Sequence, residues 1–351
     1  MIGVGVVGYG YWGPNLVRNL HAHPQVRLVS VCDLDPARLE LVRWAYPTVR
    51  ATTRFEEMLA EPAIQAVVIC TRVESHAELA LAALCSGRHV LVEKPLAPSV
   101  AEASRLLDEA RRRDLLLMVD HTFVFSPAVR KIRDLLQGGG LGSRVHYYDS
   151  VRVNLGPFRH DVNALWDLAV HDLSILDYVF PHQPLEVSCI GVSHMEGHPE
   201  NLAYLTCWYP DNLLAHIHVN WLAPVKLRRT LIGGDQKMLV FDDLEPSEKL
   251  KVYDKGITVT SNGSGRDAWM VDYRSGDMWA PKLSNREALA LEVDEFVDAI
   301  ARGTSFPADG EAGLRVVRVL EAASRSMRGR GLPVALDAGP LSRVGPTSPR
   351  L

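Results

Sequence analysis

No apolar run in this 351-residue chain approaches the length of a membrane span. There is no block of lysine and arginine, and no alternation of basic with aromatic residues. The 38 cations and 42 anions are scattered, for a net charge of -4. That lacks the electrostatic footprint of a nucleic-acid-binding protein. The opening MIGVGVVGYG enters a strand-like segment at once and has no secretory-leader architecture. Cysteine is scarce: Cys32, Cys70, Cys85, Cys189 and Cys207 are odd in number and form no CxxC spacing. They read as reduced, mostly buried thiols of a cytoplasmic protein, which argues against a disulfide framework or a cysteine-bound zinc. There is no internal repeat. What is present is a globular composition, 47% hydrophobic and 23% charged, with enough chain for two domains.

The first third alternates strand-like and helix-like segments. GVGVVGYG, VRLVSVCD, AVVICT, HVLVEKP and LLLMVDH are apolar runs of strand length. Between them lie NLVRNLHAH, DPARLELVRWAY, SHAELALAALCSG and SVAEASRLLDEARRRD, which have helical spacing. Repeated β–α units build a parallel, doubly wound α/β sheet, and near-continuous Val/Ile/Leu runs suit strands buried on both faces. The first strand-to-helix turn, GYGYWG, places Gly8, Gly10 and Gly13 as GxGxxG, with Tyr11 and Trp12 inside it. Glycine at these positions allows a tight turn, close approach of a pyrophosphate and close helix–strand packing. Asp33 closes the second strand about 20 residues on, as the dinucleotide fingerprint requires. A carboxylate there can bond the ribose hydroxyls and repels a 2′-phosphate, which favours NAD; nearby Arg38 leaves NADP open.

The segment NALWDLAVHDLSIL, residues 163–176, has two helical faces. Leu165, Ala169, Leu173, Leu176 and Phe180 recur on one side, and Asp167, His171, Ser174 and Tyr178 on the other. Alone, the second face reads more readily as a solvated surface than as the wall of a site. At positions i and i+4, Asp167 can orient the ring of His171.

The fourth long strand ends in VLVEKPLA, placing Glu93, Lys94 and Pro95 at the carboxyl edge of the sheet, where open α/β folds bind ligands. With the dinucleotide fingerprint upstream, this EKP triplet resembles the glucose–fructose oxidoreductase / inositol dehydrogenase / MocA family, from residue 2 to about residue 336. The resemblance implies a Rossmann domain over 1–121 and a substrate-binding and oligomerisation α+β domain with an open, mostly antiparallel sheet over 122–336, leaving 337–351 as a fraying tail. It implies that Lys94 meets the substrate hydroxyl and the nicotinamide, and that Asp167 and His171 supply the family's Asp-x-x-x-His pair. Thr71, His76 and Glu93 then border the cofactor, although Arg72 stands where proline is common. The implied chemistry is hydride transfer from a secondary alcohol to the nicotinamide, with Lys94 or His171 accepting the hydroxyl proton.

The later segments look most like members that act on sugar nucleotides, often at C3. His121 at the domain junction, with Arg152, Asn154, Arg159 and Asn163 in the polar stretch before the catalytic helix, are candidate donors for sugar hydroxyls and a diphosphate. An inositol or free-sugar dehydrogenase, an NAD-dependent glycosidase of the same fold and a non-catalytic dinucleotide sensor are competing readings. His216 and His218 share a strand face without a carboxylate or thiol partner nearby, so no metal site is expected. Instead the resemblance implies that this sheet joins copies into a homodimer or homotetramer. The stretch 256–284 is turn-rich and reads as a loop.

Overall fold

Ile2–Val7 (β1) is buried at every residue because it lies in the middle of a parallel sheet. The computed structural model describes residues 1–156, 158–261 and 269–336; the tail at 337–351 lies outside them. After β1 come α1 (Gly13–Ala22), β2 (Val26–Cys32), α2 (Pro36–Ala45), β3 (Arg50–Thr52), α3 (Phe55–Leu59), β4 (Ala66–Ile69), α4 (Val73–Cys85), β5 (His89–Glu93), α5 (Val100–Arg112) and β6 (Leu117–Asp120). All strand pairs are parallel, in the order β3-β2-β1-β4-β5-β6. The order reverses beside β1, and that switch point opens a crevice at the carboxyl ends of β1 and β4.

Local chemistry starts these helices. Asp35 accepts the amide of Ala37 at 2.9 Å and precedes Pro36, the first residue of α2. Ser99 caps α5 through the amide of Glu102 at 3.2 Å. By contrast α1 has no side-chain cap: Pro14 carries no N–H, and the Asn15 amide closes the first turn on the Trp12 carbonyl at 2.9 Å.

A 3-10 turn, Thr122–Phe125, leads into the second unit: α6 (Pro127–Gln137), β7 (Val145–Leu155), a π-helical turn over Leu165–Ala169, α7 (Val170–Val179), β8 (Glu186–Val192), β9 (Leu202–Trp208), β10 (Leu214–Asn220), β11 (Leu222–Gly234), β12 (Met238–Asp242), β13 (Leu250–Ser261) and β14 (Trp269–Trp279). Then follow α8 (Ala288–Arg302), α9 (Gly310–Arg328) and β15 (Val334–Ala335). The nine strands run β14-β13-β12-β11-β7-β10-β9-β8-β15. Its pairs are antiparallel except β10 with β7.

Within the stretch expected as a loop, 256–261 and 269–279 are instead paired within β13 and β14, while 262–268 lie outside the described residues. Glycine and serine in it hide a period-two pattern, and cross-strand pairing overrides their turn preference. One face of the large sheet packs on α7 and α9, burying Cys189, Leu205, Cys207, Ala215 and Ile217. The opposite face leaves Tyr204, Trp208 and Leu214 exposed. Helix α8 returns to the first unit, where Leu289, Val293 and Phe296 join the core beneath β1 and α1.

Candidate active site

The glycine-rich turn fits a dinucleotide. Gly8 has φ +93°, and a Cβ there would meet the Cys70 carbonyl oxygen at 2.6 Å. A Cβ on Gly13 would stand 2.3 Å from the Gly8 carbonyl oxygen, so helix and turn close up only with glycine at both positions. Asp33 is buried at the end of β2. It accepts the Tyr9 amide at 2.6 Å and the Asp35 amide at 2.9 Å, and Arg38 approaches at 3.5 Å. Trp12 donates its indole N–H to Asp120 at 2.7 Å.

These residues border a cleft of about 2130 Å³ between the two units. Gly8, Gly10, Tyr11, Trp12, Asp33, Thr71, Glu93 and Lys94 all line it. His76 does not. It is buried, with Nδ1 2.9 Å from the Pro95 carbonyl and Nε2 3.2 Å from the Thr71 carbonyl, and so ties the EKP turn to the β4–α4 turn.

The second unit closes the cleft with the helix anticipated from its two faces. Leu165, Ala169, Leu173, Leu176 and Phe180 are all buried. Asp167 and His171 line the cleft but do not bond each other. Lys94 Nζ donates to the Asp167 carbonyl at 2.9 Å and to its carboxylate at 3.2 Å. Arg159 at 3.4 Å and the Trp221 indole at 3.2 Å complete the Asp167 shell. The π-helical turn carries Asp167 on a wider step than an α-helix gives, and these three donors hold its carboxylate. The His171 ring instead packs edge-on against Phe123, centroids 5.0 Å apart, with Nδ1 buried and unpartnered. Burial first, then the Lys94 charge, holds its pKa well below the usual imidazole value. The ring is therefore neutral. Burial likewise raises the Glu93 carboxyl to about 8.

The polar candidates from the second unit divide. Asn154 and Arg159 line the cleft. Arg152 does not: it is buried and paired with Asp172 at 2.7 Å, its guanidinium 4.5 Å from the Phe123 ring centroid. Asn163 is occupied by Glu200 at 2.9 Å and by the Trp166 amide at 3.1 Å. His121 lies behind the wall with both ring nitrogens unpartnered, and burial drops its pKa to about 3. The sequence reading missed Arg228, Asp243 and Lys249, which also line the cleft. Arg228 and Lys249 each reach Asp243 at 3.2 Å, and Arg228 lies 5.7 Å from the Phe123 centroid. They sit on β11, just beyond β12 and just before β13, where no local motif marks them. Asp120 was findable as the last residue of β6 and the register partner of Glu93. Among the described residues no three His, Cys, Asp or Glu side chains group as a metal site.

This combination of a dinucleotide turn, an EKP strand end and a second-domain Asp-x-x-x-His helix defines an NAD-binding oxidoreductase. The chain belongs to the Gfo/Idh/MocA family. Residues 2–121 match the family's oxidoreductase model with an NAD-binding Rossmann fold, and residues 129–240 match its C-terminal domain. Among its relatives, a UDP-N-acetylglucosamine 3-dehydrogenase of Acidithiobacillus ferrooxidans is 29% identical over 319 residues, covering 89% of this chain and 93% of that protein. A solved structure of a UDP-N-acetylglucosamine 3-dehydrogenase from the same organism superposes with a TM-score of 0.78 at 25% identity, over 94% of this chain and 98% of the other. GenD2 from gentamicin A biosynthesis, solved with NAD, shares the fold with a TM-score of 0.80 at 24% identity, over 96% of this chain and 97% of the other.

Proposed function

We propose that the protein is an NAD-dependent dehydrogenase that oxidises a secondary hydroxyl of a nucleotide sugar, at C3 of a UDP-linked pyranose. The observation that carries this reading is the meeting of Lys94, Asp167 and His171 at the cleft end where the two units face each other. NAD, when bound, supplies the hydride acceptor. His171, neutral and open to the cleft, takes the hydroxyl proton. Lys94, held by Asp167, hydrogen-bonds the same oxygen and stabilises its developing charge. Gly8, Gly10 and the uncapped start of α1 receive the pyrophosphate, and Asp33 bonds the adenosine ribose. Asn154 and Arg159 contact the sugar. Arg228 and Lys249 offer the cleft more positive charge than Asp243 cancels, which suits a diphosphate. The resemblance to the UDP-N-acetylglucosamine 3-dehydrogenase supports the substrate class.

The exposed sheet face, with Tyr204 stacked on His218 at 4.5 Å, is the surface through which two copies of the chain associate. The five cysteines are all free thiols, consistent with work in the cytoplasm.

The test is nicotinamide reduction by the purified protein with NAD+ and a panel of UDP-, GDP- and dTDP-sugars, free sugars and inositols. A nucleotide-sugar response supports the proposal, and a response to free polyols alone removes the nucleotide. Release of a leaving group without accumulating NADH identifies a glycosidase.

A further inference from the structure

Asp167 does not orient His171. Its carboxylate is taken by Lys94, Arg159 and the Trp221 indole at 3.2–3.4 Å, and the buried His171 Nδ1 has no hydrogen-bond partner among the described residues. A histidine that works as a base is ordinarily held through its second ring nitrogen. Here the ring is fixed by packing instead, against Phe123 with 5.0 Å between centroids and 65° between planes.

Phe123 is well placed to hold it. It lies in the Thr122–Phe125 turn that follows β6. The next two residues, Val124 and Phe125, are buried in the core of the first unit. Phe123 instead packs on the core of the second unit. The turn is thus rooted in the cofactor domain, while one of its rings reaches α7, which carries His171. The Phe123 ring is itself confined. The Arg152 guanidinium stands 4.5 Å from its centroid, fixed by the buried pair with Asp172, and Arg228 of the cleft wall stands 5.7 Å away. Turning the ring would give up two cation–π contacts and the imidazole contact together. An aromatic contact also orients an imidazole without occupying either of its nitrogens.

We propose that Phe123 is a positioning residue for His171: it carries the geometry of the cofactor domain across the domain junction to the ring that takes the hydroxyl proton. The proton acceptor and the dinucleotide turn sit on different domains. Hydride and proton leave neighbouring atoms of one substrate, so the two acceptors must be held to within about 0.5 Å of each other's productive placement. The proposal rests on the reading of His171 as the base.

The experiment pairs steady-state kinetics with the imidazole C–H resonance of His171 in the NAD-bound protein, identified as the histidine signal missing from His171→Ala. The rate probe is UDP-N-acetylglucosamine, or the panel sugar that reduces NAD+ fastest. Phe123→Leu keeps an apolar side chain and removes the flat ring. Its kcat falls about ten- to a hundredfold, the cost of a misplaced catalytic group. The substrate KM and the NAD Kd stay within about twofold, as for an interaction that acts on the chemical step. The His171 resonance shifts as the ring current is lost. Phe123→Tyr keeps the ring and recovers both the rate and the resonance. Phe123→Met replaces the leucine variant should that one not fold. With His171 shown essential, a normal kcat, an unmoved resonance or a tyrosine variant as slow as the leucine one overturns the proposal. A rise in KM or NAD Kd that accounts for the whole loss also overturns it, since Phe123 is then only a wall of the cleft. Full activity in His171→Ala is a different failure: it removes the base, and the positioning role with it.

Discussion

Asp167 and Asp172 stand five residues apart along one helical segment and meet opposite surroundings. Asp167 faces the cleft and shares its carboxylate among Lys94, Arg159 and Trp221 at 3.2–3.4 Å. Asp172 is wholly buried and accepts from Ser150 at 2.6 Å and from Arg152 at 2.7 Å. The same residue type thus serves chemistry on one side of the helix and architecture on the other. The arginines follow suit: Arg159 lines the cleft, partly exposed and paired with Asp161 at 2.9 Å, while Arg152 is committed to a buried strut between α7 and β7. An ion pair on the cleft side can be rearranged by a ligand at small cost. One on the core side cannot, because breaking it strands a charge in a medium that does not solvate it.

The contrast can be broken at several points. His171→Ala on the cleft side should lower kcat by about 10²–10⁴-fold, the usual worth of a positioned base, with NAD affinity and Tm near wild type; steady-state rates and a melt decide it, and full activity would remove His171 from the proposed chemistry. On the core side, Asp172→Ala should cost about 3–5 kcal/mol of stability by leaving Arg152 unpaired, read as a lower urea midpoint. Asp167→Asn should lower the rate with a much smaller change in that midpoint; equal stability losses in the two variants would erase the distinction. Asp33→Ala should weaken NAD binding by roughly ten- to a hundredfold, the value of hydrogen bonds to a charged group, and narrow the preference over NADP. Arg159→Met should raise the KM for a nucleotide sugar on the order of tenfold, one lost charged contact, and change the KM for a free sugar less.

A separate effect lies in the pH dependence of stability. Glu93 titrates at about 8 in the folded chain, against an ordinary carboxylate value of 4.5. The folded state therefore holds the extra proton between those values, and the Glu93 contribution falls as pH rises through that window. Glu93→Gln should match wild type in acid and melt at a higher temperature than wild type toward pH 8. Parallel melting curves across the window would contradict this assignment.

The long strands and helices of the first domain were legible because each of their signals is local, though short β3 and α3 were not. The apolar runs are the buried strands, GxGxxG is the turn that only glycine fits at Gly8 and Gly13, and Asp33 ends the next strand. The helix 163–176 also announced its buried face correctly. Its polar face was only half legible. Helical spacing put Asp167 beside His171, but the π-helical turn and three donors from elsewhere took the carboxylate. Those donors are Lys94, Arg159 and Trp221, and two of them lie more than fifty residues away in sequence.

By itself the sequence determined the doubly wound first domain, the dinucleotide turn and the short list of titratable residues, since periodicity, glycine stereochemistry and strand-end position act within a few residues. Only the tertiary structure decided which of those residues share a cleft. It buried Arg152 on Asp172 and His121 behind the wall, and it brought Arg228, Asp243 and Lys249 to the site from the far side of the second sheet. It also laid α8 against the first domain, where Leu289, Val293 and Phe296 complete its core. Those outcomes depend on burial and on partners distant along the chain, and a polar side chain's sequence neighbours do not reveal whether it will meet water, a substrate or an opposite charge.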